Sequence, residues 1–328
     1  MDGPLRIAIV GCGTVARRQH IPGYKALSAG SVQLTVFASR SPEAAAAAAA
    51  QWGGGATVTD WRDALARDDV DAVDICTPNA LHAEVAVAAA AAGKHVLVEK
   101  PIATSLAEAD RMIDAARRSG TALMTAHNGR YAPAIRSARG AVQAGLVGEV
   151  AAVEAYLGHG GPSLWAPAAT WFFHPGEAGG GSLIDLGVHA VDNVRFVTAD
   201  EVADVAAMTA DMRDGLEFDG HIMVRMKGGA LGFVKGSWNA PYGNDRAMIV
   251  WGRTAQLVVD RRGVILRRPG GEECAIAAAP PADLYADFLS ACAGEKPAEP
   301  SGVDGRAALA VVLASYRSAA SRAFVRPG

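Results

Sequence analysis

Ile7-Ala8-Ile9-Val10-Gly11-Cys12-Gly13-Thr14-Val15-Ala16 decides the reading of the first third of the chain. Arg6 to Val10, with four consecutive apolar residues ending at a glycine, reads as a short buried strand. The Gly-x-Gly-x-x-Ala that follows sets a tight turn between this strand and a helix expected from Val15 to Leu27. Gly11 permits the turn, Gly13 lets the backbone approach a pyrophosphate, and Ala16 allows the helix to lie close on the sheet. The helix start at Thr14 and Val15 offers free N–H groups and a positive dipole end, so the turn is expected to cradle a dinucleotide.

The alternation continues outward from that turn. Further strands are expected at Gln33 to Ala38, Ala72 to Cys76, His95 to Val98 and Ala122 to Thr125. Between them lie helical stretches at Pro42 to Gln51, Ala80 to Ala92 and Leu106 to Ser119. Ser41 precedes a proline at a helix start, and Gly93 and Gly120 stand where helices stop. Strands alternating with helices over short links imply a doubly wound parallel sheet covered on both faces.

The pattern changes after about residue 126. A helix is expected at Ala134 to Ala144, a strand at Val150 to Leu157, and a helix from Ser182 to Thr198 behind Gly179-Gly180-Gly181. Strand-like segments follow at Val202 to Met212, His221 to Met226, Leu231 to Trp238, Ala247 to Gly252, Ala255 to Val259 and Val264 to Arg268. Tight turns such as Asp214-Gly215 and Arg262-Gly263 separate them, which implies a largely antiparallel sheet. The tail returns to helix at Ala282 to Cys292 and Gly302 to Ala323. Two domains are therefore expected, 1–126 and 127–328, with the C-terminal helix able to pack back on the first.

Composition narrows the function classes. The 328 residues are 50% hydrophobic and 20% charged, with a formal net charge of -3. That balance offers no polybasic surface for nucleic acid or anionic lipid. Arg261-Arg262 and Arg267-Arg268 read as solvated strand ends. Met1-Asp2-Gly3-Pro4 runs into the apolar stretch Ile7 to Val10, which is too short for a signal segment and has no basic stretch before it, so no targeting signal is expected, and no uncharged apolar stretch approaches about 20 residues. Cys12, Cys76, Cys274 and Cys292 form no C-x-x-C pair and have no histidine at metal-ligand spacing, so no metal site is expected. They read as small core residues in a reducing cytoplasm.

Residues that carry chemistry gather at strand ends. After the second strand stand Ser39 and Arg40, where an acidic residue would select NAD. A hydroxyl and a guanidinium can instead hold a 2′-phosphate, which favours NADP(H) and leaves NAD(H) open. Thr77-Pro78-Asn79 with His82, and Glu99-Lys100-Pro101, follow other strands at the carboxyl edge, where ligands bind in such sheets. Asp185 and His189 are spaced i,i+4 on one helix face, a carboxylate beside a poised acid/base.

Taken together, Ile7 to Gly13, Val70-Asp71-Ala72-Val73, Thr77-Pro78-Asn79 with His82, Ala92 to Pro101, Gly179 to Gly181 and Asp185 to His189 resemble the glucose–fructose oxidoreductase, inositol dehydrogenase and MocA-like family, Gfo/Idh/MocA. The resemblance covers nearly the whole chain. It implies an N-terminal Rossmann domain followed by an α/β domain with a large open, mostly antiparallel sheet. It implies catalytic roles for Lys100, Asp185 and His189, and places Asn79, His82 and Glu99 near the nicotinamide and ribose. Thr77 is taken with that group. Arg130 and Trp171 resemble substrate-pocket positions, and the loops Tyr156 to Trp171 and Lys235 to Tyr242 would shape the pocket. A homodimer or homotetramer is implied. The expected activity is hydride transfer between NAD(P) and a sugar-like or polyol-like alcohol or ketone. A redox-assisted glycosidase and a non-enzymatic dinucleotide-binding sensor are the alternatives, and the presence of Lys100, Asp185 and His189 argues against the sensor.

Overall fold

The computed structural model describes residues 3–241 and 246–328; Met1, Asp2 and Tyr242 lie outside the described residues. Two compact units account for the chain. The first comprises Met1–Ala126, joined by two later segments, Gly176–Gly179 and Asp283–Arg306. The second comprises His127–Pro175, Gly180–Ala282 and Ala307–Gly328.

Six parallel strands build the first unit: β1 (Leu5–Val10), β2 (Val32–Ala38), β3 (Ala56–Val58), β4 (Ala72–Ile75), β5 (His95–Val98) and β6 (Leu123–Thr125). Their order is β3-β2-β1-β4-β5-β6. Chain direction across the sheet therefore reverses between β1 and β4, and the loops leaving these two strands diverge to open a crevice at the carboxyl edge. Ile7, Ile9, Val36, Val73 and Leu97 are fully buried, as a sheet covered on both faces requires. Expected caps are present: the Ser41 hydroxyl accepts from Ala44 N at 3.1 Å, and Gly120 ends Leu106–Ser119 at φ 64°. Sequence periodicity missed β3 and the short helix Trp61–Leu65. Neither is long enough to show a period.

Eight strands build the second unit's sheet: β7 (Val150–Gly158), β8 (Val202–Arg213), β9 (Leu216–Met226), β10 (Leu231–Ser237), β11 (Arg246–Gly252), β12 (Gln256–Asp260), β13 (Gly263–Arg267) and β14 (Glu273–Ile276). The order is β14-β13-β12-β11-β7-β10-β9-β8, and only β7 and β10 pair in parallel. Asp214 and Gly215 both take positive φ and join β8 to β9 in the two-residue hairpin their sequence demanded. β14 was not foreseen. From Gly220 onward strand β9 alternates: Ile222, Val224 and Met226 are buried, while His221, Met223 and Arg225 face outward. One sheet face packs on the helices Pro133–Gln143 and Val188–Thr198. No helix of the described residues is long and apolar enough to cross a membrane.

Two expected helices start irregularly. The first opens with a π-turn over Ala16–His20 before Ile21–Ala26, and the helix carrying Asp185 opens with a π-turn over Leu183–Gly187 before Val188–Thr198. Such wide turns occur often at functional positions.

Candidate active-site residues

In the first unit the carboxyl edge of the sheet gathers the expected cofactor residues. Gly11, at φ 95°, lies so close to the β4 exit that a Cβ would stand 2.5 Å from the Cys76 carbonyl carbon. Gly13 is different: a Cβ there meets nothing within 4 Å, and the residue is exposed at the start of the helix. Close packing thus requires glycine at 11, while the open space at 13 suits a bound phosphate. Thr14 and Val15 are half-buried behind it, and Ala16 is fully buried. Ser39 follows β2 half-buried, and its hydroxyl accepts from Ser41 N at 3.2 Å; Arg40 is exposed beside it.

Beyond β4, the Thr77 hydroxyl is buried with no hydrogen-bond partner among the described residues. An orphaned hydroxyl at this edge fits a bound polar group. Asn79 donates through Nδ2 to the Ala178 carbonyl at 2.8 Å. His82 is fully buried, with Nδ1 2.8 Å from the Pro101 carbonyl and Nε2 3.0 Å from the Thr77 carbonyl. Burial holds its pKa below the ordinary value. His82 therefore ties the Thr77 and Pro101 loops together at the edge where a dinucleotide is expected. The donors present at this edge fit a dinucleotide.

Lys100 follows β5 half-buried, and its peptide bond to Pro101 is cis. Its backbone N–H donates to Glu99 Oε2 at 3.1 Å. Glu99 Oε1 lies 2.9 Å from His20 Nε2, and His20 Nδ1 lies 2.7 Å from Asp74 Oδ2. Burial opposes charge on Glu99, but the hydrogen bond and charge of His20, with the Lys100 ammonium, hold its carboxyl below the usual range. Burial likewise opposes protonation of His20, yet the surrounding groups, Asp74 first among them, together raise the imidazole well above its ordinary value. His20 and Asp74 escaped the sequence reading because 54 residues separate them.

The second unit holds Asp185 and His189. Asp185 sits in the π-turn, 4% exposed, and accepts from the Trp238 indole Nε1 at 2.8 Å. His159 Nε2 lies 3.8 Å from the same carboxylate oxygen, and His159 Nδ1 accepts from Gly161 N at 2.9 Å. His189 is half-buried, its ring 6.2 Å edge-on from that of His127. Glu217 anchors the turn, accepting from Gly181 N at 3.0 Å and Leu183 N at 2.8 Å. A Cβ on Gly181 would stand 2.0 Å from the Glu217 carbonyl oxygen, which explains the last of the three glycines. Phe172, Leu186 and Trp238 pack together, with Trp165, Trp171, Phe173 and Phe218 against them. Trp171 stacks on Phe172 at 3.8 Å. Arg130 is buried and forms a fork with Asp192, at 2.7 and 2.6 Å. Trp238 and His159 fall inside the two segments expected to shape the pocket but could not be singled out there, because a lone tryptophan or histidine carries no spacing signal.

The model of the oxidoreductase family with an NAD-binding Rossmann fold matches residues 5–127, and that of the GFO/IDH/MocA C-terminal domain matches residues 135–258. The chain belongs to the Gfo/Idh/MocA oxidoreductase family. This Gfo/Idh/MocA enzyme is 34% identical to a 1,5-anhydro-D-fructose reductase of Ensifer adhaerens, over 96% of each chain. It superposes on an oxidoreductase domain protein from Kribbella flavida with a TM-score of 0.86, at 29% identity over 99% of each chain. A levoglucosan dehydrogenase in complex with NADH and levoglucosan gives a TM-score of 0.86 at 25% identity, again over 99% of each chain. The Gfo/Idh/MocA assignment makes the chain an enzyme of the NAD-binding oxidoreductase class.

Proposed function

We propose that this enzyme oxidises a secondary alcohol, or reduces the matching ketone, on a sugar or polyol ring, with Lys100, Asp185 and His189 as its reacting groups. The observation that carries the reading is Asp185: a carboxylate 4% exposed, fixed by an indole N–H inside an aromatic cluster, with a half-buried histidine four residues on. Aromatic faces suit the C–H faces of a sugar ring, and a held carboxylate suits its hydroxyls. The bound nicotinamide supplies or accepts the hydride. His189 exchanges the hydroxyl proton, Asp185 orients substrate or base, and Lys100 polarises the reacting oxygen. Trp171 and Arg130 would line the substrate pocket.

Gly11, Gly13, Thr14 and Val15 would hold the pyrophosphate, with Thr77, Asn79 and Glu99 towards the nicotinamide end. Ser39 and Arg40 favour NADP(H) over NAD(H), although the levoglucosan dehydrogenase above holds NADH. Arg40→Ala is expected to weaken NADPH by about 1.5–3 kcal/mol and NADH much less. Calorimetric titration of both cofactors checks this; tighter binding of NADH than NADPH to the unaltered enzyme would refute the preference.

The relatives' names direct the substrate test. 1,5-Anhydro-D-fructose, levoglucosan and myo-inositol are offered with each dinucleotide while absorbance at the nicotinamide band is followed. Turnover of one or more supports the reading; tight sugar binding without turnover would favour a sensor instead. Met208, Met223 and Leu231 are 79%, 58% and 57% exposed on the outer face of the second unit's sheet, which supports a homo-oligomer built on that face. The four free thiols are consistent with the cytoplasm.

A further inference from the structure

His20 and Asp74 have no role in the assignments above, although their partner Glu99 was placed towards the nicotinamide end. Both ring nitrogens stand at hydrogen-bond distance from carboxylate oxygens, 2.7 Å to Asp74 and 2.9 Å to Glu99. Carboxylates only accept, so each nitrogen must donate, and the ring is an imidazolium shared by two anions. The site is closed: the His20 and Asp74 side chains are 1% and 0% exposed. Cys76 Sγ donates to Asp74 Oδ1 at 3.7 Å, the Tyr285 ring meets His20 edge-on at 5.5 Å, and Tyr24 is buried against Tyr285. No cation other than His20 faces Asp74 in these contacts. His20, Asp74 and Cys76 have the side-chain types and proximity of a metal site. Yet both His20 nitrogens are turned to carboxylate oxygens, which leaves no ring lone pair for an ion.

We propose that His20 is a positioning residue for Lys100: its ring, clamped between Asp74 and Glu99, fixes the carboxylate that receives the Lys100 backbone N–H and thereby sets where the Lys100 side chain stands. This rests on the reading of Lys100 as a reacting group. The path is short and continuous. Asp74 ends β4, Glu99 follows β5, and the two strands are hydrogen-bonded neighbours, so the clamp also locks the two strand exits together. A buried ion pair is poor evidence of added stability, because desolvation offsets much of the attraction. It is well suited to holding one geometry, and a small misplacement of a catalytic group is costly to rate.

The test uses the whole enzyme, the substrate turned over fastest in the panel above, and reductive 13C-methylation to observe the Lys100 amine by NMR. His20→Gln keeps one donor but no charge. It is expected to lower kcat roughly ten- to hundredfold, with KM and dinucleotide affinity changed by less than about threefold. The Lys100 resonance should move with it. Asp74→Asn, the milder variant should His20→Gln fold poorly, is expected to shift both readouts in the same direction by less. In a Lys100→Ala background His20→Gln should cost kcat nothing further, since both changes act through one amine. A folded His20→Gln enzyme with unchanged kcat and an unmoved Lys100 resonance would overturn the proposal. So would equal losses in kcat and dinucleotide affinity, or stoichiometric zinc bound by the unaltered protein. Normal turnover in Lys100→Ala alone would instead sink the catalytic reading, while the resonance still reports on the clamp.

Discussion

Each unit has one π-turn near the start of a helix among the described residues, and each π-turn bears a histidine–carboxylate cluster. In the first unit the turn Ala16–His20 ends on His20, whose side chain is 1% exposed between Asp74 and Glu99. In the second unit the turn Leu183–Gly187 carries Asp185, and the nearby His159 side chain is 31% exposed. Residue types are shared, but the partners differ. Asp74 and Glu99 are satisfied by a cation, so that cluster stores charge and geometry. Asp185 is held by a neutral indole N–H, and its histidine neighbours retain access to solvent. The difference teaches that burial and the charge of the partner, not the residue pair, set what a histidine beside a carboxylate is suited to: a closed, charge-paired ring to holding geometry, a solvent-reached one to exchanging protons.

The contrast breaks most readily at His189. His189→Ala is expected to lower kcat by roughly two to four decades while dinucleotide affinity holds. Steady-state kinetics with a parallel binding titration checks this, and near-normal turnover would move the acid/base elsewhere. A smaller effect is expected at Trp238. Trp238→Phe removes the N–H donated to Asp185 and keeps most of the aromatic surface; the loss of about 1 kcal/mol corresponds to a several-fold fall in kcat/KM. An unchanged kcat/KM would mean that the indole merely packs. The smallest effect sharpens the closed side of the comparison. The folded state raises the His20 pKa, so the stability linked to its protonation is whole below the ordinary histidine value of 6.5 and is lost as pH rises through the folded value. The melting temperature should therefore fall by on the order of a few degrees between about pH 6 and about pH 9, and His20→Gln should flatten that decline. Equal slopes in both proteins would show that His20 does not carry it.

Much of the molecule is legible in the sequence because its signals are local. The run Ile7 to Ala16 specifies strand, turn and helix within ten residues, and the structure follows it with Gly11 at positive φ. Asp214-Gly215 likewise dictates its own hairpin. Lys100, Asp185 and His189 could be singled out because a charged residue after an apolar strand, or a carboxylate four residues before a histidine, is visible in one dimension.

Other features exist only once distant segments are packed. His20 reads as one more polar residue on a helix until β4 and β5 bring Asp74 and Glu99 to its two nitrogens. The sequence places His82 after a strand, and only packing shows that its ring lies between the Thr77 and Pro101 carbonyls. Arg130 has no visible partner in the sequence until packing brings Asp192, 62 residues on, to its guanidinium. The sequence determined the strands, the turns and the types of side chain at the sheet edge, since these follow from neighbours a few residues apart. Tertiary structure decided the partners, because hydrogen-bond satisfaction and the cost of buried charge depend on groups that meet only in space.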